Sequence, residues 1–194
     1  MNFARKKILA TMLLCLFGQS VQALEANHFP YTPPSQSLAL EIRNDAFRLI
    51  DNPPETLYRE SDLACTAVAI YHEARGEPIV GQMAVASVIL QRSLVPGRWG
   101  ERPCDVVRPV MFSFMTSRYR YNPIREQKAW ETAVRVAVTA FLQGPMPELK
   151  GADHYHTHEV NPSWNQKMPS VKIIGNHIFY VDPLSSPGRL VQNR

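Results

Sequence analysis

The chain has 194 residues, 45% of them hydrophobic and 20% charged, which excludes a wholly disordered, fibrous or integral-membrane protein and leaves a soluble domain with a real core. The formal charge of +4 sits largely at the amino end: Arg5, Lys6 and Lys7 have no acidic neighbour, and without these three the balance is +1. No block of Lys and Arg follows, so neither nucleic acid nor an anionic membrane is expected as a partner.

Those three basic residues open a leader, followed by an apolar run from Ile8 to Phe17 and permissive residues at Val21 and Ala23. Residues 1–23 therefore read as a secretion signal cleaved after Ala23, and the expected location is the periplasm or cell wall. The apolar run is well short of the ~20 residues that cross a bilayer. Cys15 is preceded by Leu13 and Leu14 rather than by a small residue, so it leaves with the leader and not as a lipid anchor. Cys65 and Cys104 remain. In an oxidising compartment such a pair reads as a disulfide, whose loop of about 40 residues is worth roughly 3–4 kcal/mol in the chain-entropy account, with two buried thiols as the alternative.

Residues 24–60 are rich in proline (Pro30, Pro33, Pro34, Pro53, Pro54) around one weakly amphipathic stretch, Leu38 to Ile50, and read as a linker carrying one helix. Ser61 is an N-cap candidate for a helix with Leu63, Ala67, Ile70 and Ala74 on one face, ended by Gly76 and Pro78. A second helix is predicted over 79–94, with Val80, Met83, Ala84, Val88 and Ile89 turned inward and Pro96 and Gly97 as its stop. A third, over 124–143, carries Trp130, Ala133, Ala137 and Phe141 as core residues before Gly144 and Pro145. Beyond it the period changes: His154, His156 and His158 alternate with Tyr155 and Thr157, and two apolar runs, 171–174 and 178–181, flank Gly175 and Asn176 as a hairpin. Helices followed by a small antiparallel sheet predict an α+β domain over 61–183 with a tail at 184–194. No internal repeat, βαβ alternation or glycine-rich phosphate loop is present, which excludes arrays and nucleotide-binding folds.

The chemistry concentrates at Glu73, an acid in the last turn of an otherwise apolar helix. The negative end of the helix dipole and partial burial both disfavour its ionised form and raise its pKa. A carboxyl protonated near neutral pH suits a general acid that donates to a leaving oxygen. The competing reading is a surface ion pair with Arg75 or another cation. A zinc-protease helix fails on spacing, because a second His is needed at position 76 and Gly76 stands there.

The run IYHEARGEPIVGQMAVASVILQR around Glu73, the segment Cys104 to Val107, Phe112 with Ser113, the helix around Trp130, GADHYHTHEVNPSW and the closing IGNHIFY follow one another in an order that resembles the SleB-type cell wall hydrolases, a family also known from spore-cortex-lytic enzymes. The likeness covers about residues 61–182. It implies a lysozyme-like fold, peptidoglycan glycan strands as substrate, and Glu73 as the catalytic acid at the β-1,4 bond between N-acetylmuramic acid and N-acetylglucosamine. It further implies a lytic transglycosylase, which closes the muramoyl 6-hydroxyl onto its own anomeric carbon and needs one carboxylate. Ordinary hydrolysis uses two, and none of Glu77, Asp105, Asp153 or Glu159 is assigned that second role.

Around the acid, Tyr155 with His154 or His156 is expected to line the cleft opposite Glu73, with His177 as a further contact and Phe112 and Ser113 on the cleft wall. Spacing alone permits zinc on these histidines, but strand residues two apart stand about 7 Å apart and the family implies no metal, so neither metal nor cofactor is expected. Met111 stands where relatives often carry a polar residue nearby, which puts substrate contacts on that loop in doubt. No separate wall-binding module is read, so a monomer is expected to find its substrate through the cleft itself or through a regulatory protein partner.

Overall fold

Two of the helices start at a serine cap. The computed structural model describes residues 31–95 and 97–185, so the leader, Pro96 and most of the tail lie outside the described residues. In chain order the elements are α1 (Gln36–Asp51), α2 (Asp62–Ala74), α3 (Ile79–Ser93), a short α4 (Pro103–Val106), α5 (Gln127–Gln143), β1 (His154–Thr157), β2 (Ser170–Ile174) and β3 (His177–Tyr180), with brief 3-10 turns between and after them. Ser35 Oγ and Ser61 Oγ accept the amide hydrogens of Leu38 and Ala64 at 3.3 and 3.2 Å, capping α1 and α2.

The α+β architecture expected from the sequence is the one found. α2 is central: from Leu63 to Tyr71 every residue is buried, and alanines at 64, 67, 69 and 74 let its neighbours approach closely. α5 packs across it with Trp130, Ala133, Ala137 and Ala140 fully buried. The helix expected inside the proline-rich segment is α1, and it docks on α5: Leu49 is fully buried and its carbonyl accepts the Trp130 Nε1 hydrogen at 2.7 Å. Burying side chains of this size stabilises by roughly 1.5–3 kcal/mol each.

Two boundaries differ from the periodicity. α5 begins at Gln127 rather than Ile124, because the Tyr71 hydroxyl accepts the amide hydrogens of Arg125 and Glu126 at 3.0 and 3.1 Å and holds them outside the helix. The short α4, which no periodic pattern announces, carries Cys104, and Cys104 is bonded to Cys65 of α2.

The sheet has the order β1-β3-β2, antiparallel throughout. Gly175 turns the hairpin with φ +59°, while Asn176 has no positive φ, the placement expected of a type II′ turn. One face of the sheet, with Ile174 and Phe179, buries against Ala84 and Val88 of α3. At the start of β1 a buried polar chain ties sheet to helices: Arg92 Nε donates to the Asp153 carbonyl at 2.7 Å, Asp153 Oδ1 accepts the Asp182 amide hydrogen at 2.9 Å, and Asp182 pairs with Arg98.

Candidate active site

The end of α2 and the middle of β1 meet at one hydrogen bond. Tyr155 Oη donates to Glu73 Oε2 at 3.1 Å, and Tyr155 is the one residue hydrogen-bonded to that carboxylate among the described residues. Burial pushes the Glu73 carboxyl above the usual carboxylate range; the Tyr155 hydrogen bond and the Arg92 guanidinium pull the other way without cancelling it. Burial, and then the charge of Glu73, push the Tyr155 hydroxyl well above its ordinary value, so it remains a donor across the neutral range. The ring is held edge-on by His177 at 5.2 Å and against Phe179 at 5.7 Å.

Glu73 opens onto a groove of about 450 Å³ walled by the end of α2 (Tyr71, His72, Arg75), by Ser113 and Phe114, and by the stretch from Asn122 to Glu126. Within it the ion pair considered for Glu73 goes elsewhere: Arg75 Nε meets Glu126 Oε1 at 2.9 Å. His72 stacks on Phe114, ring centres 4.7 Å apart, and burial followed by the Arg75 charge lowers its pKa to about 4, so the ring is neutral at pH 7.

The period of β1 separates the predicted cleft residues. Tyr155 shares a sheet face with His177 and Phe179, whereas His154 and His156 point to the opposite face. There His154 Nδ1 lies 2.8 Å from Asp153 Oδ1, with its ring between Trp99 and Trp164. His156 stacks on Tyr180, and its Nε2 lies 2.9 Å from the Tyr180 hydroxyl. The structure thus brings Tyr155 to Glu73 and does not bring His154 or His156 there, because residues one apart on a strand cannot face the same way. His177 is buried against Tyr155 and supports it from behind. Of the loop pair, Ser113 lines the groove and Phe112 does not: at 3% exposure it belongs to the core, 6.0 Å below the Arg92 guanidinium.

Some residues around Glu73 are given no cleft role by the sequence. Phe114 carries a signal, since it alternates with Phe112 across Ser113, and His72 and Arg75 flank the acid directly. Arg92 and Glu126 carry none: Arg92 reaches Glu73 by its charge from α3, and Glu126 lines the groove from the start of α5. Glu77, just past the end of α2, acts on the hairpin and not on the groove. Its Oε2 accepts the Asn176 amide hydrogen at 3.0 Å, and its carboxylate occupies the space a Cβ on Gly175 would take, so it clamps the hairpin to the α2–α3 turn. Asp105 instead closes the α4 capping box. Among the described residues no three His, Cys, Asp or Glu side chains converge as metal ligands.

Residues 76–180 match the family described as Cell Wall Hydrolase; the match begins just past Glu73 and takes in the groove loop and the sheet. The chain is 34% identical over 122 residues to the spore cortex-lytic enzyme of Halalkalibacterium halodurans, covering 63% of this chain and 35% of that one. It is 31% identical over 128 residues to the enzyme of the same name from Oceanobacillus iheyensis, covering 63% and 42%. The chain thus spans well under half the length of these curated relatives. Among solved structures it is similar to the catalytic domain of the Bacillus cereus SleB protein, at 31% identity, a TM-score of 0.48, and coverage of 62% of this chain and 89% of that one.

Proposed function

The chain belongs to the cell wall hydrolase family, and from that premise we propose that it cleaves peptidoglycan glycan strands at the β-1,4 bond between N-acetylmuramic acid and N-acetylglucosamine, as a lytic transglycosylase with Glu73 as acid and then base. Residues 61–183 are the proposed catalytic unit, with α1 packed on it. The leader read over 1–23 would deliver it to the periplasm or cell wall.

The observation that carries this reading is Glu73 itself: a carboxyl at a helix end, raised in pKa by burial, open to a groove, and hydrogen-bonded to one phenol. Protonated Glu73 gives its proton to the glycosidic oxygen as the bond to the muramoyl anomeric carbon breaks. The resulting carboxylate takes the proton of the muramoyl 6-hydroxyl, whose oxygen closes on that carbon. One carboxyl leaves the cycle as it entered, and no water or cofactor is consumed.

Glu126 favours a second reading, hydrolysis, because it is a carboxylate in the same groove. Against it stands the Arg75 partner, which holds that carboxylate in an ion pair.

Mass spectrometry of the soluble products released from peptidoglycan sacculi tests both, with Glu73→Gln, Glu126→Gln and a chelator run beside the unaltered protein. The expected result is 1,6-anhydro-muropeptides that vanish in Glu73→Gln and persist in Glu126→Gln and with chelator. Reducing-end products lost in both variants would establish hydrolysis, and inhibition by chelator would overturn both readings.

A further inference from the structure

The sequence has no basic run, yet folding gathers arginines on a face away from Glu73. Arg59, Arg102, Arg108 and Arg118, from three separate segments, wall a pocket of about 430 Å³ floored by Leu57 and Val107. All four are exposed. Arg102 is taken up by Asp62, and the pocket's Glu60 by Arg48, at 3.1 Å each. Arg59, Arg108 and Arg118 make no ion pair among the described residues.

Two of these three are held in place without a carboxylate. Tyr58 and Tyr119 meet edge to face at 5.1 Å, and Arg59 and Arg118 each lie 5.2 Å above one of the two rings. Arg59 also stands at φ +61°, a left-handed conformation that a non-glycine residue rarely adopts. The Leu57 amide donates to the Tyr119 carbonyl at 2.7 Å and joins the two arms. Guanidinium groups held in this way lose less freedom when they take up an anion.

The pocket is built on the machinery of the groove. The loop from Arg108 to Asn122 forms a shared wall: Ser113, Phe114 and Asn122 face Glu73, while Arg108, Val110, Arg118 and Tyr119 face the arginine pocket. A Met115–Tyr121 bridge closes the base of that loop. In a stem-bearing strand the lactyl carboxyl of each muramoyl residue is tied up in the amide bond to its peptide, so the sugars are neutral and the negative charge lies out on the stem carboxylates; stripping the stems instead leaves a carboxylate on the sugar itself, inside the groove. Stems leaving a strand held in the groove would cross that loop toward guanidinium groups that make no ion pair, in a pocket whose own carboxylates are Glu60, paired with Arg48, and Asp105, which accepts the Arg102 amide hydrogen.

We propose that Arg59, Arg108 and Arg118 bind the stem-peptide carboxylates, so that the protein prefers peptide-bearing over denuded glycan. This rests on the groove around Glu73 being the glycan site. The test compares cleavage of stem-bearing glycan strands, freed of cross-links by an endopeptidase, with cleavage of strands stripped of stems by an amidase, both scored by mass spectrometry of the products, for the full chain and for a combined Arg59→Gln, Arg108→Gln, Arg118→Gln variant. Retention on both kinds of strand, immobilised on beads, is measured in parallel in a Glu73→Gln background, where no strand is consumed.

The expected outcome is a preference for stem-bearing material of about tenfold, ~1.4 kcal/mol, that falls toward one in the triple-Gln variant and is kept in the matching triple-Lys variant. Because the readout is a ratio, a general loss of folded protein does not mimic it. A ratio unmoved by the Gln substitutions, or a wild-type chain retained equally by both materials, overturns the proposal. Should the wild type cleave neither material, the glycosidase reading fails, while stem-dependent retention lost in the triple-Gln variant would still establish the pocket.

Discussion

The proton on Glu73 is set by burial and by two neighbours that oppose it, and each neighbour is removable in turn. Burial raises the carboxyl, while the Tyr155 hydrogen bond and the Arg92 charge lower it. In Tyr155→Phe one of the lowering contacts is gone and the burial remains. A general acid works while protonated, so its rate falls as pH rises through its pKa. The alkaline limb of the pH–rate profile is therefore expected to move to higher pH in Tyr155→Phe, and an unmoved or lowered limb would remove Tyr155 from the site. The same residue predicts a cost in stability. A carboxyl whose folded pKa exceeds its unfolded value stabilises the fold below the unfolded pKa and loses that contribution as pH rises through the folded one. The larger the ionised share of Glu73, the greater its cost to the fold, so Glu73→Gln is expected to gain stability on the parent as pH rises, by about 0.5–2 kcal/mol, while abolishing cleavage. A thermal melt at pH 7 and again at pH 4, where the difference shrinks, checks the sign.

At the scale of elements, the hairpin and the α2–α3 turn hold each other through Glu77. The Gly175 backbone needs positive φ, and a methyl group there would stand 1.8 Å from Glu77 Oε2. Gly175→Ala is expected to destabilise by about 2 kcal/mol or more, and Glu77→Gln, which keeps the shape and weakens the acceptor, by ~1 kcal/mol. Urea titrations of the two variants would rank them, and the reverse order would mean the clamp is not where the hairpin is held. Little of this is legible in the residues alone. Ser61, the Trp130 face of α5 and the glycine hairpin are local signals, and the elements follow them. The start of α5 does not, because the phenol that withholds Arg125 and Glu126 comes from α2, 54 and 55 residues away. The site divides in the same way. Glu73 announces itself by an apolar helix that ends on an acid, and Tyr155 by its strand. The three histidines caught the eye as a set, yet strand alternation sends His154 and His156 to the far face. Arg92 and Glu126 have no local pattern to read.

For the whole molecule, the Cys65–Cys104 bond joins α2, which carries Glu73 at its other end, to α4, from which the chain runs into the loop walling both the groove and the arginine pocket. Its sequence separation of 39 gives about 4 kcal/mol in the chain-entropy account. Replacing both cysteines by alanine is expected to lower the denaturation midpoint by a corresponding amount, with stem preference falling along with overall rate as the shared loop loosens. A midpoint within experimental scatter of the parent would show that the helices alone hold α4.

The hydrogen bond between Glu73 and Tyr155 also has a place in time. The two residues are 82 positions apart, and the helices that carry the acid are joined by short connections that close sooner than a loop of that length. During synthesis the chain exists with its acid already made and the strand that completes the site not yet docked. In that interval Glu73 is an ordinary solvated carboxylate, ionised at neutral pH. The raised pKa is acquired only by the finished fold, so the cleavage proposed for Glu73 comes into being after the chain has assembled, and not before.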